Sequence, residues 1–211
     1  MSSMARLVRA EAPGAGTSLE VPGRKLRRAE RRELVLEAAT RAFARNGYAA
    51  TSLDEAANEA GISKVILYRH FESKAELYRA VLKRSEARLA SAVGEGDFTM
   101  DTLRVLLAAA TEDPDGFRLL FRHAAREPEF RAEMDRFRAE SVATALRQLR
   151  NVIADPAWAA WAAQLAPTIA IDAVIAWLDA GQPDRQSAAQ RIGHVLSSVV
   201  EAASSSGPKR T

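Results

Sequence analysis

From about residue 29 onward, apolar residues recur every three or four positions, which is the period of amphipathic α-helices. The alternation of apolar and polar residues that is typical of strands is missing, and Ala, Leu, Glu and Arg, which favour helices, are abundant. The helical pattern is interrupted at Gly47, Gly61, Ser73, Gly94–Gly96, Pro114, Pro128, Pro156 and Gly181–Pro183. Because these residue types begin or end helices, we predict an all-α fold with about nine helices.

The predicted helices form two groups of different length. Those before about residue 75 are short, and short helices bury little surface alone. We therefore expect a three-helix bundle that a helix over about 75–93 joins to a larger helical domain. The predicted parts are a flexible tail over 1–23, the small bundle over 24–75, the larger domain over 76–204 and a disordered C-terminus over 205–211.

The net charge of +3 matters through its distribution along the chain. Residues 24–74 carry eleven basic and seven acidic residues, whereas residues 75–211 carry seventeen basic and eighteen acidic residues. A positive excess in one short segment indicates a module that binds a polyanion, and a solvated basic surface is the alternative. The same two interpretations, an arm that contacts nucleic acid or a solubilising segment, apply to Arg24, Lys25, Arg27, Arg28, Arg31 and Arg32.

Residues that carry chemistry are scarce, and this excludes several classes of protein. The chain has no cysteine and only three histidines, His70, His123 and His194, so we predict neither a metal site nor a cofactor. No nucleophile–base pair, paired carboxylates or phosphate-binding glycine loop supports catalysis, so we predict that the chain is not an enzyme. Since no uninterrupted run of about 20 apolar residues and no signal region is present, we predict a cytoplasmic protein with no membrane partner.

The most informative run covers residues 51–77, TSLDEAANEAGISKVILYRHFESKAEL. Ser52 and Glu55 have the spacing of a capping box, which begins a helix. Gly61 permits the left-handed conformation that ends this helix, and Ser63 can cap the next one. The run therefore predicts two short helices joined by a tight glycine turn, which is a helix-turn-helix motif.

This run and the helix before it resemble the TetR family of transcriptional regulators. The resemblance covers about residues 30–80 closely, and the rest of the chain matches only in the number and length of its helices. The residues that carry it are Ala39, Phe43, Gly47, Tyr48, Thr51, Ser52, Ala57, Ala60, Gly61, Ile62, Ser63, Leu67, Tyr68, His70, Phe71, Ser73, Lys74 and Leu77. It implies an N-terminal DNA-binding domain followed by a helical domain that binds a ligand and dimerises.

The resemblance also implies which residues contact double-stranded DNA. The second helix of the motif, over 64–70, would lie in the major groove. Lys64 and Arg69 are our candidates for reading base edges, because basic side chains reach the acceptors of guanine well. The full set of DNA-contact candidates is Thr51, Ser52, Ser63, Lys64, Tyr68, Arg69, His70 and Lys74.

Simpler roles remain open for several of these residues. Tyr68 can be a packing residue, His70 can interact with a helix C-terminus through its charge, and Lys74 can cap or solvate the next helix. Val65 and Ile66 stand where the family often has a small residue and a polar one. A methyl group that can meet thymine replaces the usual polar contact there.

The later helices carry candidates for a ligand site and for a subunit interface. The resemblance implies an apolar cavity for a small effector, although aromatic stripes at helical spacing more often form a core. The candidates for effector contact are Phe117, Phe121, Phe137, Trp158 and Trp161. Two apolar stripes on the last helices predict a homodimer, with packing inside one chain as the alternative. The candidates for the interface are Ile169, Ala173, Trp177, Ile192, Val195, Leu196 and Val199.

These observations predict a homodimeric repressor that a small apolar or aromatic ligand releases from a pseudo-palindromic operator. Two alternatives remain open. One is a DNA-binding activator or architectural factor without a ligand, and the other is a helical small-molecule-binding protein or enzyme.

Overall fold

The computed structural model describes residues 28–94 and 99–205, and these residues form nine α-helices and no strand. The helices are α1 (Arg28–Ala50), α2 (Leu53–Glu59), α3 (Lys64–Tyr68), α4 (Lys74–Val93), α5 (Met100–Glu112), α6 (Pro114–Arg118), α7 (Arg131–Leu149), α8 (Pro156–Asp179) and α9 (Ala188–Ser204). The predicted all-α fold with about nine helices is confirmed. The predicted tail over 1–23, the basic residues Arg24, Lys25 and Arg27, and residues 206–211 lie outside the described residues.

The end of α1 sets the direction in which the chain enters α2. Gly47 has a φ of +77°, a conformation that glycine adopts without strain, and this residue breaks the last turn of α1. The hydroxyl of Thr51 donates to the carbonyl oxygen of Gly47 at 2.7 Å and lies 3.3 Å from that of Ala42. These contacts stabilise the turn between the two helices.

α2 and α3 form the predicted helix-turn-helix. The Ser52 hydroxyl accepts from the Glu55 amide at 3.1 Å, and the Glu55 carboxylate accepts from the Ser52 amide at 2.7 Å. Gly61 follows α2 with a φ of +63°, and the Ile62 amide donates to the Ala57 carbonyl at 3.1 Å, as in a Schellman motif. The predicted capping box and glycine turn are therefore confirmed.

The largest buried cluster connects the first four helices to a later part of the chain. α1 to α4 supply most of its side chains, and Leu119, Leu120, Ala124 and Phe130, between α6 and α7, complete it. The ring centroid of Phe130 lies 4.6 Å from that of Tyr78 on α4. The small bundle is therefore joined to the rest of the protein through a shared core, and not only through the helix that the sequence predicts over 75–93.

Ion pairs cross the same boundary. The side chain of Arg84, on α4, is only 7% exposed. Its guanidinium lies 2.6 Å from the carboxylate of Glu33 and 3.0 Å from that of Glu37, both on α1. It also lies 3.5 Å from the carboxylate of Asp113, which precedes α6. Arg88 pairs with the same three acids. Because a buried charge is costly unless it is paired, this cluster favours one arrangement of α1, α4 and α6.

Gly116→Ala is expected to lower the free energy of unfolding by about 1–2 kcal/mol more than Gly193→Ala does. A Cβ at Gly116 would lie 2.5 Å from the Asp113 carboxylate, which caps α6 and pairs with Arg84. A Cβ at Gly193 would meet the sulfur of Met100 at 2.5 Å, and this flexible side chain can shift. Both changes gain similar helix propensity. Urea unfolding of the two variants measures the difference, and equal losses would contradict the role of the Asp113 carboxylate.

α8 is apolar on most of its surface. By length and composition it is long and apolar enough to cross a membrane, and 28% of its most apolar 18-residue window is buried in the chain. The search for an uninterrupted run of apolar residues did not find this helix, because Gln164, Thr168 and Asp172 interrupt the run. α8 packs against α7 and α9. Much of its apolar surface therefore has no cover from the described part of the chain.

Candidate DNA-binding site and ligand cavity

α3 turns most of its side chains to solvent. Leu67 is fully buried and attaches the helix to the core, together with Phe71 just beyond its end. The Ser63 hydroxyl caps the helix by accepting from the Ile66 amide at 3.4 Å. The exposed side chains are those of Ser63, Lys64, Val65, Tyr68 and Arg69. A short helix attached on one side and exposed on the other has a shape that the major groove of DNA admits.

The two predicted base-reading residues differ in their surroundings. Lys64 Nζ lies 2.7 Å from Asp54 Oδ2 on α2, and this hydrogen bond raises the pKa of Lys64. The same ammonium lies 5.8 Å from the ring centroid of Tyr68. Arg69 has no ion-pair partner among the residues that the structure describes. A base contact by Lys64 therefore requires it to leave Asp54, whereas Arg69 is available without such a change.

Ser52 lies at the start of α2, as the sequence predicts, whereas His70 lies just beyond α3, because this helix ends at Tyr68 and not at residue 70. Ser52 is exposed, but its hydroxyl is already hydrogen-bonded to Glu55 in the capping box. His70 is half-buried, and its ring centroid lies 6.5 Å from that of Phe71. Contact of either residue with DNA stays a prediction.

Thr51 requires a correction, because the structure does not place its side chain on the surface. The residue is buried, and its hydroxyl is hydrogen-bonded to the carbonyl oxygen of Gly47. A buried hydroxyl that is bound to the backbone cannot reach a phosphate. Thr51 stabilises the turn between α1 and α2 instead.

Lys74 is held by contacts within its own fold. Its ammonium donates to the carbonyl oxygens of Tyr48 at 2.9 Å and Ala49 at 3.1 Å, and it lies 4.5 Å from the ring centroid of Tyr48. The side chain is half-buried, and these carbonyls belong to the end of α1. Lys74 therefore holds the start of α4 against α1, and its predicted phosphate contact stays a prediction.

Two features of this surface stand outside the predicted set of contacts. Val65, where the sequence offers a methyl group for thymine, is 64% exposed on α3 but was not among the candidates. Glu59, on α2, pairs with Arg41 at 3.0 Å and with Arg45 at 2.5 Å. These two arginines stand four residues apart on α1, and this spacing places them on one side of a helix. The sequence shows this spacing, but it does not show that Glu59 pairs with both arginines.

A cavity of about 950 Å³ lies among α4, α5, α7, α8 and α9. This volume is within the range of small-molecule sites, roughly 300–1,000 Å³. Its apolar wall includes Leu89, Leu103, Leu106, Phe121, Phe137, Ile171 and Leu196, and its polar wall includes Ser141, Thr144, Arg147 and Gln148. Such a lining suits a largely apolar compound that carries a few polar groups.

The structure corrects three of the five predicted effector contacts. Phe121 and Phe137 line the cavity, as predicted. Phe117 is buried in a second apolar cluster behind the wall. Trp158 and Trp161 are 47% and 42% exposed on the outside of α8, and their ring centroids lie 5.5 Å apart. The two tryptophans point outward because Ala159 and Ala162 occupy the side of the helix that faces the core, whereas Ala157 and Ala160 are exposed.

Of the seven predicted interface residues, two are buried and four are partly buried within their own chain. Ile192 and Val199 are buried, and Leu196 lines the cavity. Ile169, Ala173 and Trp177 are partly buried against the clusters of the larger domain. Val195 alone of the seven is exposed, at 49%. The exposed apolar residues of α8 and α9, which we call the outer face, are Pro156, Ala157, Trp158, Ala160, Trp161, Ala176, Val195 and Ala202.

Comparison with known proteins agrees with the geometry of the first helices. Residues 35–81 match the family model described as bacterial regulatory proteins, tetR family. The helix-turn-helix domain of this chain is therefore of the TetR family. The matched residues run from α1 into α4, so they include the whole helix-turn-helix. The resemblance inferred from the sequence is confirmed.

Two curated relatives extend the match beyond this domain. The transcriptional activator FasR of Mycolicibacterium smegmatis is 41% identical over 121 residues, which are 53% of this chain and 55% of FasR. The transcriptional repressor AcnR of Corynebacterium efficiens is 30% identical over 108 residues, which are 48% of this chain and 55% of AcnR. The chain thus spans about half the length of the curated relatives it matches. Both are named as transcription regulators and not as enzymes.

Solved TetR-family structures share the fold over most of the chain. A TetR-like regulator from Rhodococcus matches with a TM-score of 0.67 and 24% identity, covering 84% of this chain and 97% of that one. MexZ of Pseudomonas aeruginosa, described as a repressor, matches with a TM-score of 0.64 and 18% identity, covering 84% and 96%. At these identities the likeness concerns the fold.

Proposed function

We propose that this chain is a cytoplasmic homodimeric transcriptional regulator that binds a pseudo-palindromic DNA operator through α3. We further propose that a small apolar or aromatic ligand in the cavity lowers its affinity for the operator. The observation that carries the proposal is the exposed surface of α3, on a helix-turn-helix of the TetR family. Ser52, Ser63, Lys64, Tyr68, Arg69, His70 and Lys74 remain the proposed contacts, and Val65 joins them.

The outer face supports the proposed dimer. Trp158, Trp161 and Val195 are large apolar side chains that are more than two-fifths exposed, and α8 and α9 pack against each other. An isologous contact would cover the same residues of both subunits. We therefore assign the dimer to the outer face and not to the stripes that the sequence predicted. A second copy also explains why so apolar a helix as α8 is left uncovered.

The cavity supports the proposed ligand. It lies beside α4, whose other end begins next to the helix-turn-helix. A ligand shifts the affinity for DNA only if it binds the DNA-competent and incompetent states differently. The proposal does not depend on the sign of regulation, because one relative is named an activator and another a repressor. A promoter reporter with and without the regulator decides between repression, which we predict, and activation.

The operator can be selected directly from random DNA, whichever genes it controls. The chain is incubated with random DNA duplexes, bound sequences are recovered and sequenced, and affinities are measured by fluorescence anisotropy at several salt concentrations. We expect one pseudo-palindrome whose half-sites lie about one duplex turn apart, roughly 34–36 Å, and an affinity that falls steeply with salt. Recovery of no preferred sequence would contradict the proposed function.

Arg69→Ala is expected to weaken binding to the selected operator by roughly 5- to 150-fold and to relax the preference at one base pair of each half-site. The reason is that Arg69 is exposed on α3 and has no competing acid among the described residues. Arg150→Ala removes the same charge from an exposed position at the end of α7 and serves as the control. If both variants lose affinity equally, Arg69 contributes only charge, and its proposed role in reading bases is wrong.

A further inference from the structure

The segment after α6 contains a helical turn of unusual width. The Ala124 amide donates to the carbonyl oxygen of Leu119, five residues earlier, whereas an α-helix uses the carbonyl four residues earlier. The turn over Leu119–His123 is therefore a π turn, which accommodates one extra residue. Such turns are rare and frequently lie at functional sites.

The side chains of this turn divide between two environments. Phe121 lines the cavity, and its ring centroid lies 4.7 Å from that of Phe117 and 5.7 Å from that of Phe137. The preceding residues, Leu119 and Leu120, are fully buried in the core that α1 to α4 share. Adjacent residues of one turn thus touch the cavity and the core of the DNA-binding bundle.

Ion pairs hold the outer side of the turn. Arg122 Nη2 lies 2.6 Å from one carboxylate oxygen of Asp179, and Arg118 Nε lies 3.1 Å from the other. The hydrogen bonds from Arg122 and Arg118 lower the pKa of Asp179, which is the last residue of α8. Because the outer side is attached to α8, a rearrangement of the turn is expected to displace its inner side.

We infer that this π turn transmits ligand binding from the cavity to the DNA-binding bundle. The inference rests on the proposed function and names its regulatory element. A ligand that displaces Phe121 favours α-helical hydrogen bonding in this segment, so that the turn contains one residue fewer. This change rotates the side chains of Leu119 and Leu120 relative to α1. It therefore alters how the helix-turn-helix packs against the rest of the protein. Packed cores switch between discrete arrangements more readily than they deform continuously, so a one-residue change suits this role.

Phe121 and Phe137 provide a matched pair for the test, because both rings line the cavity but only Phe121 belongs to the turn. The fluorescent apolar probe 8-anilinonaphthalene-1-sulfonate is titrated into the wild type, Phe121→Ala and Phe137→Ala, with and without the selected operator. Coupling is reciprocal, so the operator should weaken probe binding to the wild type by roughly 5- to 150-fold. We expect Phe137→Ala to bind the probe less tightly and to retain this effect of the operator. Phe121→Ala should bind the probe, with an operator effect below about twofold.

The outcomes separate this inference from the proposed function. If the wild type does not bind the probe, or binds it without an effect of the operator, ligand control of DNA binding is wrong and the inference fails with it. If the operator effect persists in Phe121→Ala, the π turn alone is wrong.

Deletion of His123 is an independent test whose main measurement needs no ligand. The deletion leaves Ala124 four residues after Leu119, which is the α-helical spacing. The folded variant should bind the operator weakly in the absence of the probe, and the probe should change this affinity little. Circular dichroism establishes that the variant is folded. Wild-type operator affinity in a folded variant would overturn the inference.

Discussion

Replacing Trp161 and Val195 with glutamate is expected to split the proposed dimer and to weaken operator binding by roughly 100- to 10,000-fold. Both side chains are exposed on the outer face, at 42% and 49%. Two glutamates per subunit would place four negative charges in an apolar interface, where they cannot be paired. The isolated subunit would retain its helix-turn-helix but would contact only one half-site, and the gain from binding both half-sites together would be lost.

Analytical ultracentrifugation at micromolar concentration gives the oligomeric state, and fluorescence anisotropy gives the operator affinity. Val152→Glu is the control, because Val152 is an exposed apolar residue in the turn before α8 and not part of the outer face. This control should remain dimeric and bind the operator normally. A wild-type protein that sediments as a monomer, or a double variant that remains a dimer, would contradict the assignment.

The helix-turn-helix was predictable because local contacts determine its ends. The capping box of Ser52 and Glu55 involves residues three apart, and the turn at Gly61 depends on a conformation that glycine adopts readily. Ser63 likewise caps the helix that directly follows it. Such contacts depend little on distant parts of the chain, so the sequence pattern was sufficient.

The partners of Thr51 and Lys74 could not be predicted in the same way. Both side chains bind backbone carbonyls at the end of α1, where Gly47 breaks the helix. Every residue has a carbonyl, so residue types give no sign of which one is free to accept. A polar residue near a DNA-binding helix can contact DNA or the backbone of its own fold, and only the fold distinguishes the two.

The orientation of α8 and α9 could not be predicted for a different reason. α8 is apolar on most sides, so helical periodicity does not indicate which side faces the core. Alanines there permit close packing with α9, and the large rings of Trp158 and Trp161 remain outside. On α9, Ile192 and Val199 face inward and Val195 faces outward. The apolar stripes therefore indicated that these helices are apolar, but they did not indicate which residues are exposed.

The division of the chain into two domains is tested most directly by Phe130, which lies outside the predicted small bundle but inside its core. Phe130→Ala is expected to lower the free energy of unfolding by about 3–5 kcal/mol, because a fully buried aromatic ring leaves a cavity that neighbours fill incompletely. Its ring lies 4.9 Å from that of Tyr48 and 4.6 Å from that of Tyr78, so the loss falls on the DNA-binding bundle. We therefore expect weaker operator binding near the unfolding midpoint as well.

Phe137→Ala removes the same group from a half-buried position in the cavity wall and is the matched control, with an expected loss below about 2 kcal/mol. Urea unfolding is followed both by circular dichroism, which reports all the helices, and by tryptophan fluorescence, which reports only the larger domain. A shared core requires the two transitions to coincide in the wild type and to shift together in Phe130→Ala. If the fluorescence transition keeps its midpoint in Phe130→Ala while the helical signal is lost in two steps, the domains unfold separately. The core contact at Phe130 would then be too weak to couple the two domains. The boundary near residue 75 would separate two units that unfold independently.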